Sequence, residues 1–193
     1  LFRSSGLPDF PDIQVGGVIW HFITPEDLPR IQAMREGMPV RIAIDIERRA
    51  RLSLSHTASH LLYLAVARHR PDAIASTLGC HIRVDGARFD FAVENRFTPE
   101  EIVLIEETAN GYIRRDARIQ LSAHPEVPDA RTWHCEGQAI PCGGTHIDSA
   151  GAIGPMTIRR KRLGASKERL SCEFPKARPL AHLFAGASPR AEE

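Results

Sequence analysis

The sequence predicts an α+β fold in which two helices pack on a mostly antiparallel sheet. Three observations predict it: a helical stretch at residues 55–70 without Gly or Pro, two alternating segments around Gly86, and an amphipathic helix that starts near Thr98. Helices interleaved with short alternating strands are typical of a two-layer domain. A chain of 193 residues is long enough for one well-cored domain with a small appendage.

The first fifty residues are expected to form a small β-rich segment, a partial barrel ahead of the main domain. Gly and Pro residues punctuate residues 1–17, which predicts loop, and a strand is expected at 18–23. Thr24 and Pro25 are typical of a short helix start. Apolar residues alternate with polar ones over 40–46, which predicts a half-buried strand.

The main domain is expected at residues 51–175. The segments 81–85 and 88–93 predict a β-hairpin, and Thr98 followed by Pro99 and two glutamates predicts a capped helix. That helix places one apolar stripe towards the core: Ile102, Ile105, Ala109 and Ile113. Further strands are predicted at 118–121, 156–161 and 169–174, and a loosely held tail at 176–193.

Composition is that of an ordinary globular protein, with 42% hydrophobic and 25% charged residues. A net charge of +1 excludes a generally basic nucleic-acid coat. The four cysteines lack disulfide spacing and no signal peptide or long apolar run is visible, so a cytoplasmic protein without membrane contact is expected. Leu1 is not an initiator methionine, which indicates a fragment or a processed chain.

Two short motifs supply candidate metal ligands. His56 and His60 are four residues apart on the predicted helix, so both imidazoles lie on one face. Cys142 and His146 flank a Gly-Gly pair that favours a tight bend. One thiolate and three imidazoles make a full set of four soft and borderline donors, which predicts zinc.

The motifs carry a family resemblance. The stretches HTASHLL from His56, CGGTHI from Cys142 and RFDF from Arg88 resemble the editing domain of alanyl-tRNA synthetase and its free-standing AlaX-type relatives, over residues 12–174. The resemblance implies the fold of threonyl/alanyl-tRNA synthetase editing domains, and zinc at the four ligands. It further implies an enzyme that hydrolyses mischarged alanine tRNA in trans, with serine as the expected amino acid and glycine second.

Several alternatives stay open. Four protein ligands are typical of a closed structural zinc site, whereas a catalytic ion keeps one position open. Residues 4–8 match the family's Gly-rich segment only partly, so the same pocket can also suit an enzyme that uses aminoacyl-tRNA as a donor or hydrolyses another small ester. A third reading is a non-catalytic tRNA-binding module with structural zinc.

Three hydroxyls lie next to the ligands and are candidates for recognising a seryl side chain: Thr57, Ser59 and Thr145. A pocket that satisfies a substrate hydroxyl rejects alanine, because alanine leaves the buried polar groups unpaired. The alternative is that helical Ser and Thr bond back to the preceding turn. Thr57 is favoured, because the resembled motif carries threonine at this place.

One dense basic cluster suggests where tRNA binds: Arg159, Arg160, Lys161 and Arg162. On a strand, alternate members face one side, which is enough for a few phosphate contacts to the acceptor end. A solvated strand edge protected by charge is the alternative.

Overall fold

The computed structural model describes residues 22–127 and 130–184, together with the backbone pairing of two short strands near the N-terminus. Strand β1 (Arg3–Ser4) pairs antiparallel with β2 (Gln14–Val15). The predicted loop at 1–17 and the predicted strand at 18–23 otherwise lie outside the described residues. The expected boundary at residue 50 and the partial barrel before it therefore stay predictions.

The short helix predicted after Thr24 is present as a 3-10 turn (Pro25–Asp27) that continues into α1 (Leu28–Ile31). The strand predicted at residues 40–46 is wrong. Residues 40–45 are irregular and exposed, with Ile42 accessible over 74% of its surface. Alternation alone makes no strand, because a strand needs a neighbour to take its backbone hydrogen bonds, and this segment has none among the described residues.

Helix α2 (Ile46–His69) carries the first metal motif and begins nine residues before the predicted start. Asp45 caps it, since its carboxylate accepts a hydrogen bond from the Arg48 backbone N–H at 2.9 Å. The helix ends where Pro71 opens the short helix α3 (Pro71–Ala75). The middle of α2 is buried on nearly every side, which holds its side chains in fixed positions.

A four-stranded antiparallel sheet lies against α2. It consists of β3 (Thr77–Arg83), β4 (Gly86–Ala92), β8 (Thr157–Arg162) and β9 (Lys167–Glu173), in the order β3-β4-β9-β8. The predicted hairpin is confirmed, with its turn at Val84 and Asp85. Gly86 allows the close approach of β9, because a Cβ there would lie 2.5 Å from the Cys172 carbonyl oxygen.

A second antiparallel sheet has three strands: β5 (Ile119–Ala123), β6 (Arg131–Cys135) and β7 (Gln138–Pro141). It brings Trp133, which is fully buried, against the histidines of α2. The loop after β7 carries the second metal motif. This sheet therefore delivers the distant half of the site to the first half.

Helix α4 (Pro99–Arg114) begins with the predicted capping box, in which Thr98 and Glu101 exchange hydrogen bonds with each other's backbone N–H. Its predicted stripe is confirmed, because Ile105, Ala109 and Ile113 are buried and Ile102 packs on the core. Helices α2 and α4 contact each other and the same side of the four-stranded sheet. The α+β fold class is thus confirmed.

Part of the predicted tail packs on the domain. Ala177 and Leu180 rest on the core, the Arg178 N–H donates to the Ala152 carbonyl at 2.8 Å, and a 3-10 turn (Ala181–Phe184) contacts α2. Residues 185–193 lie outside the described part of the chain. Within the described residues, no helix combines the length and apolar character needed to cross a membrane.

Candidate metal centre

The helical half of the candidate centre is formed by His56 and His60. One turn of α2 separates them, and their ring centroids lie 4.9 Å apart in an edge-on arrangement. His56 is half-buried, whereas His60 is 7% exposed. The predicted i, i+4 pair is therefore presented from a rigid, packed helix.

The loop half depends on a glycine. The bend between Cys142 and His146 places Gly144 directly against the His56 ring, and a Cβ at this position would overlap the imidazole. The His56 ring is also hydrogen-bonded to the Thr145 backbone. Gly144 is consequently required for the loop to reach the helix, which explains the Gly-Gly pair by contact with His56.

The four predicted ligands come together in one cluster. Their donor atoms all lie within 4.8 Å of one another. The Cys142 Sγ is 3.4 Å from the Nε2 atoms of both His56 and His146. Zinc bonds of about 2.3 Å to sulfur and 2.0–2.1 Å to nitrogen in a tetrahedron put these atoms about 3.6 Å apart, so the described residues fit a zinc ion.

Thr57 fixes the His146 ring from behind. Its hydroxyl is fully buried and donates to the Ser53 carbonyl at 3.0 Å, while it accepts from the Ile147 backbone N–H at 3.2 Å. The His146 Nδ1 lies 3.2 Å from the same oxygen. If Nε2 of His146 binds the ion, Nδ1 carries the hydrogen and donates it to Thr57, as outer groups of metal sites commonly arrange.

His60 brings an unpaired polar atom to the cluster. Its ring packs edge-on against Trp133 at 4.7 Å, and its Nδ1 is buried without a hydrogen-bond partner in the described part of the chain. Burying an unpaired donor or acceptor costs about 1–3 kcal/mol. An ion bound by this imidazole is one way to offset such a cost.

Burial shifts the protonation of all four groups. It lowers the pKa of His60 to about 3 and that of His146 to about 2, with repulsion from the neighbouring imidazoles adding to the effect. Burial also lowers the pKa of His56 and raises the pKa of Cys142. At neutral pH the imidazoles are neutral with free lone pairs, and an incoming cation has to displace only the thiol proton.

A cavity of about 560 Å³ opens beside the cluster. His56 and His60 form part of its wall, together with Ser59. Ser59 donates its hydroxyl hydrogen to the His56 carbonyl at 2.7 Å, the back-bonding expected as the alternative. Thr145 is exposed and accepts from the Ser53 hydroxyl at 2.7 Å. Of the three candidates, Ser59 is the one among the lining residues described, and substrate recognition by any of them stays a prediction.

Sequence reasoning missed the far wall of this cavity, which includes Tyr63, Cys80 and Ile140. Cys80 lies within hydrogen-bonding reach of Ser59, and burial raises its pKa, so it is a neutral thiol. The signal was available in part. Cys80 alternates with Ile82 on the same side of β3, and its neighbour across the ladder is Phe89, which faces the helices.

The predicted basic cluster is divided between the two faces of the sheet. Arg160 is paired across β9 with the buried Leu170 and clamps the buried Glu168 carboxylate at 2.6 Å. Arg162 lies on the same side and donates to the Gly164 carbonyl. Arg159 and Lys161 project from the opposite side, as strand alternation requires. Contact with tRNA stays a prediction for all four.

Comparison with known proteins places the chain in context. It is 32% identical over 188 residues to the alanine–tRNA ligase of Methanopyrus kandleri, an alignment that spans 86% of this chain and 20% of the ligase. It is 29% identical over 195 residues to the alanyl-tRNA editing protein AlaX-M of Methanosarcina acetivorans, spanning 88% of this chain and 78% of that protein. The chain is a homologue of both. No protein-family model matches it.

The homology confirms the resemblance to alanyl-tRNA synthetases and AlaX-type editing proteins. A second ligase, from Pyrococcus abyssi, is 29% identical over 191 residues and again 20% covered. The chain thus spans about a fifth of the ligase relatives that it matches. Its length relative to AlaX-M is much closer, and the activities of these relatives come to this chain as proposals.

Proposed function

We propose that the protein is a zinc-dependent aminoacyl-tRNA deacylase that hydrolyses mischarged alanine tRNA in trans. The observation that carries the proposal is the cavity in which two of the four candidate ligands and Ser59 share one wall. Its overlap with the alanyl-tRNA editing protein AlaX-M, at 29% identity over most of both chains, supports the substrate class. A cytoplasmic location belongs to the same proposal, since charged tRNA is the substrate.

Zinc fits the donor set, and His56, His60, Cys142 and His146 would hold it. When bound, the ion supplies Lewis acidity to an ester carbonyl or lowers the pKa of a water. The chain's own residues orient the substrate and limit water. The apolar side chains of Ile82, Phe89 and Ile140 line the cavity and surround the small aminoacyl group.

Ser59 is the hydroxyl that we favour for selectivity. Its hydrogen is committed to the His56 carbonyl, so its oxygen retains lone pairs that can accept a hydrogen bond from a substrate hydroxyl. A seryl group supplies that donor, whereas an alanyl group leaves Ser59 without it. Serine is accordingly the expected amino acid. Glycine is second, because its small size lets it enter the same cavity.

A second candidate is a non-catalytic tRNA-binding module, which the complete set of four protein ligands favours. Deacylation assays on Ser-, Gly- and Ala-charged alanine tRNA separate the readings. We expect zinc-dependent release of serine, slower release of glycine and little release of alanine. Binding without release supports the module. Unselective or acceptor-dependent release supports an enzyme that uses another small ester or transfers the aminoacyl group.

A further inference from the structure

One face of the four-stranded sheet carries no helix. The residues that face α2 and α4 are buried, among them Phe91, Leu170 and Ile158. The alternating positions of β4, β8 and β9 therefore point the other way, and the described residues cover this opposite face with no further element. We call this surface the open face.

The open face is basic. Strand register sets Arg88, Ser171 and Arg159 in one row across three strands, and Asp90, Arg169 and Lys161 in the next. Six basic residues and two acidic residues share the face, an excess of four positive charges in a chain whose net charge is +1. The basic members are Arg83, Arg88, Arg159, Lys161, Lys167 and Arg169; the acidic members are Asp90 and Glu173.

Much of this charge is available to a ligand. Among the described residues, Arg88, Lys161 and Lys167 have no carboxylate within 4.0 Å. Arg159 lies 3.5 Å from Glu173, with its side chain 71% exposed. Arg169 is held by both oxygens of Asp90, at 2.6 and 2.8 Å, and forms a fixed centre.

The other side of β8 contrasts with the open face. There Arg160 is bonded to the buried Glu168, and Arg162 lines a recess with Pro99 and Ile102 of α4. The two sides of one strand thus differ in what their cations do. Cations on the open face have no internal task comparable to that of Arg160, so they are free to bind an anion.

The open face also reaches the cavity. His81 on the edge strand β3 is paired with Arg88, and His81 lines the cavity beside the candidate metal centre. Neighbouring strands lie about 4.8 Å apart and same-face residues about 7 Å apart along a strand. The rows of charge therefore run towards the cavity at a spacing suited to successive backbone phosphates.

We propose that the open face docks the phosphate backbone of the tRNA acceptor end, and that the 3′ end passes over the β3 edge into the cavity. This rests on the proposed deacylase function. Phosphate contacts position RNA without reading its sequence, so the face is expected to bind different tRNAs alike. The predicted contacts of Arg160 and Arg162 are replaced in this proposal by those of Arg88 and Lys167.

The test is the salt dependence of binding to an uncharged alanine tRNA transcript. The double variant Lys161→Met, Lys167→Met keeps the aliphatic stems and removes two charges. Removing one phosphate contact lowers the log-log slope by about 0.7–0.9. The fall in affinity between 50 and 200 mM salt should then shrink about 7- to 12-fold relative to the unmodified protein. Arg162→Met, on the other side of β8, is the matched control and should leave the slope unchanged.

Thermal unfolding of each variant verifies that the fold is intact. An unchanged slope in the double variant, or an equal fall in the control, overturns the docking proposal. The deacylation assay is independent of this readout. Release of serine with an unchanged slope refutes only the open face, whereas a reduced slope without any release refutes only the deacylase.

Discussion

Replacing Thr57 by valine tests how the candidate metal centre is held together. The Thr57 oxygen accepts from the Ile147 N–H and lies 3.2 Å from the His146 Nδ1, and the side chain is fully buried. Valine has nearly the same shape and removes only the hydroxyl. The change should therefore leave two buried N–H groups without an acceptor.

The size of the effect follows from those two groups. Each buried donor left unsatisfied costs about 1–3 kcal/mol, so the unfolding free energy of the metal-free protein should fall by about 2–6 kcal/mol. The third bond, from Thr57 to the Ser53 carbonyl, adds little because that carbonyl belongs to the helix. Removing a group that orients a metal-binding histidine should also weaken zinc binding about 10- to 100-fold.

Two measurements check this. Urea unfolding of the metal-free protein gives the stability change, and competition with a chelator gives the zinc affinity. Ser59→Ala is the control, since its hydroxyl bonds only to the His56 carbonyl among the hydrogen bonds described. We expect Ser59→Ala to retain zinc while its seryl deacylation rate falls about three- to tenfold.

The opposite pattern would refute this reasoning. If Thr57→Val keeps its stability within 1 kcal/mol and its zinc affinity within twofold, while seryl release falls, Thr57 recognises the substrate hydroxyl as the sequence motif suggested. Ser59 would then be an ordinary back-bonded helical serine.

Three further outcomes are expected. His60→Ala should lower zinc content and thermal stability together, and stoichiometric zinc in a Cys142→Ala, His146→Ala double variant would contradict the four-ligand assignment. Because the folded-state pKa values of His60 and His146 are depressed, stability is present above pH 6.5 and is lost as the pH falls towards 3; urea unfolding of the metal-free protein should show a decrease of about 2–3 kcal/mol between pH 7 and 5.5. Arg160→Met should cost about 3–5 kcal/mol in the same assay by leaving Glu168 buried and unpaired, and a decrease below 1 kcal/mol would argue against that pair.

Local patterns predicted those elements whose signals are local. The capping box at Thr98, the hairpin around Val84 and the histidine pair of α2 depend on residues within a few positions of one another, and the structure has all three. The alternation at residues 40–46 was misleading for the same reason. Its local pattern suits a strand, but no other strand among the described residues pairs with it.

Long-range contacts were beyond such patterns. Thr57 stands beside His56 in sequence, which suggested a place in the pocket, yet its oxygen is taken up by groups about 90 residues away. The division of the strands into two sheets, and with it the position of Trp133, likewise depends on which strands pair. The zinc ligand set was predictable because the resemblance supplied both halves together.

The separation of the two ligand pairs has a consequence for how the protein is made. His60 precedes Cys142 by 82 residues, and ribosomes add about 5–20 residues per second. The histidine pair thus exists for roughly 4–16 s before the first residue of the other pair is synthesised. A two-imidazole half-site holds metal weakly, so the ion is expected to enter only after β7 and the loop that follows it have been completed.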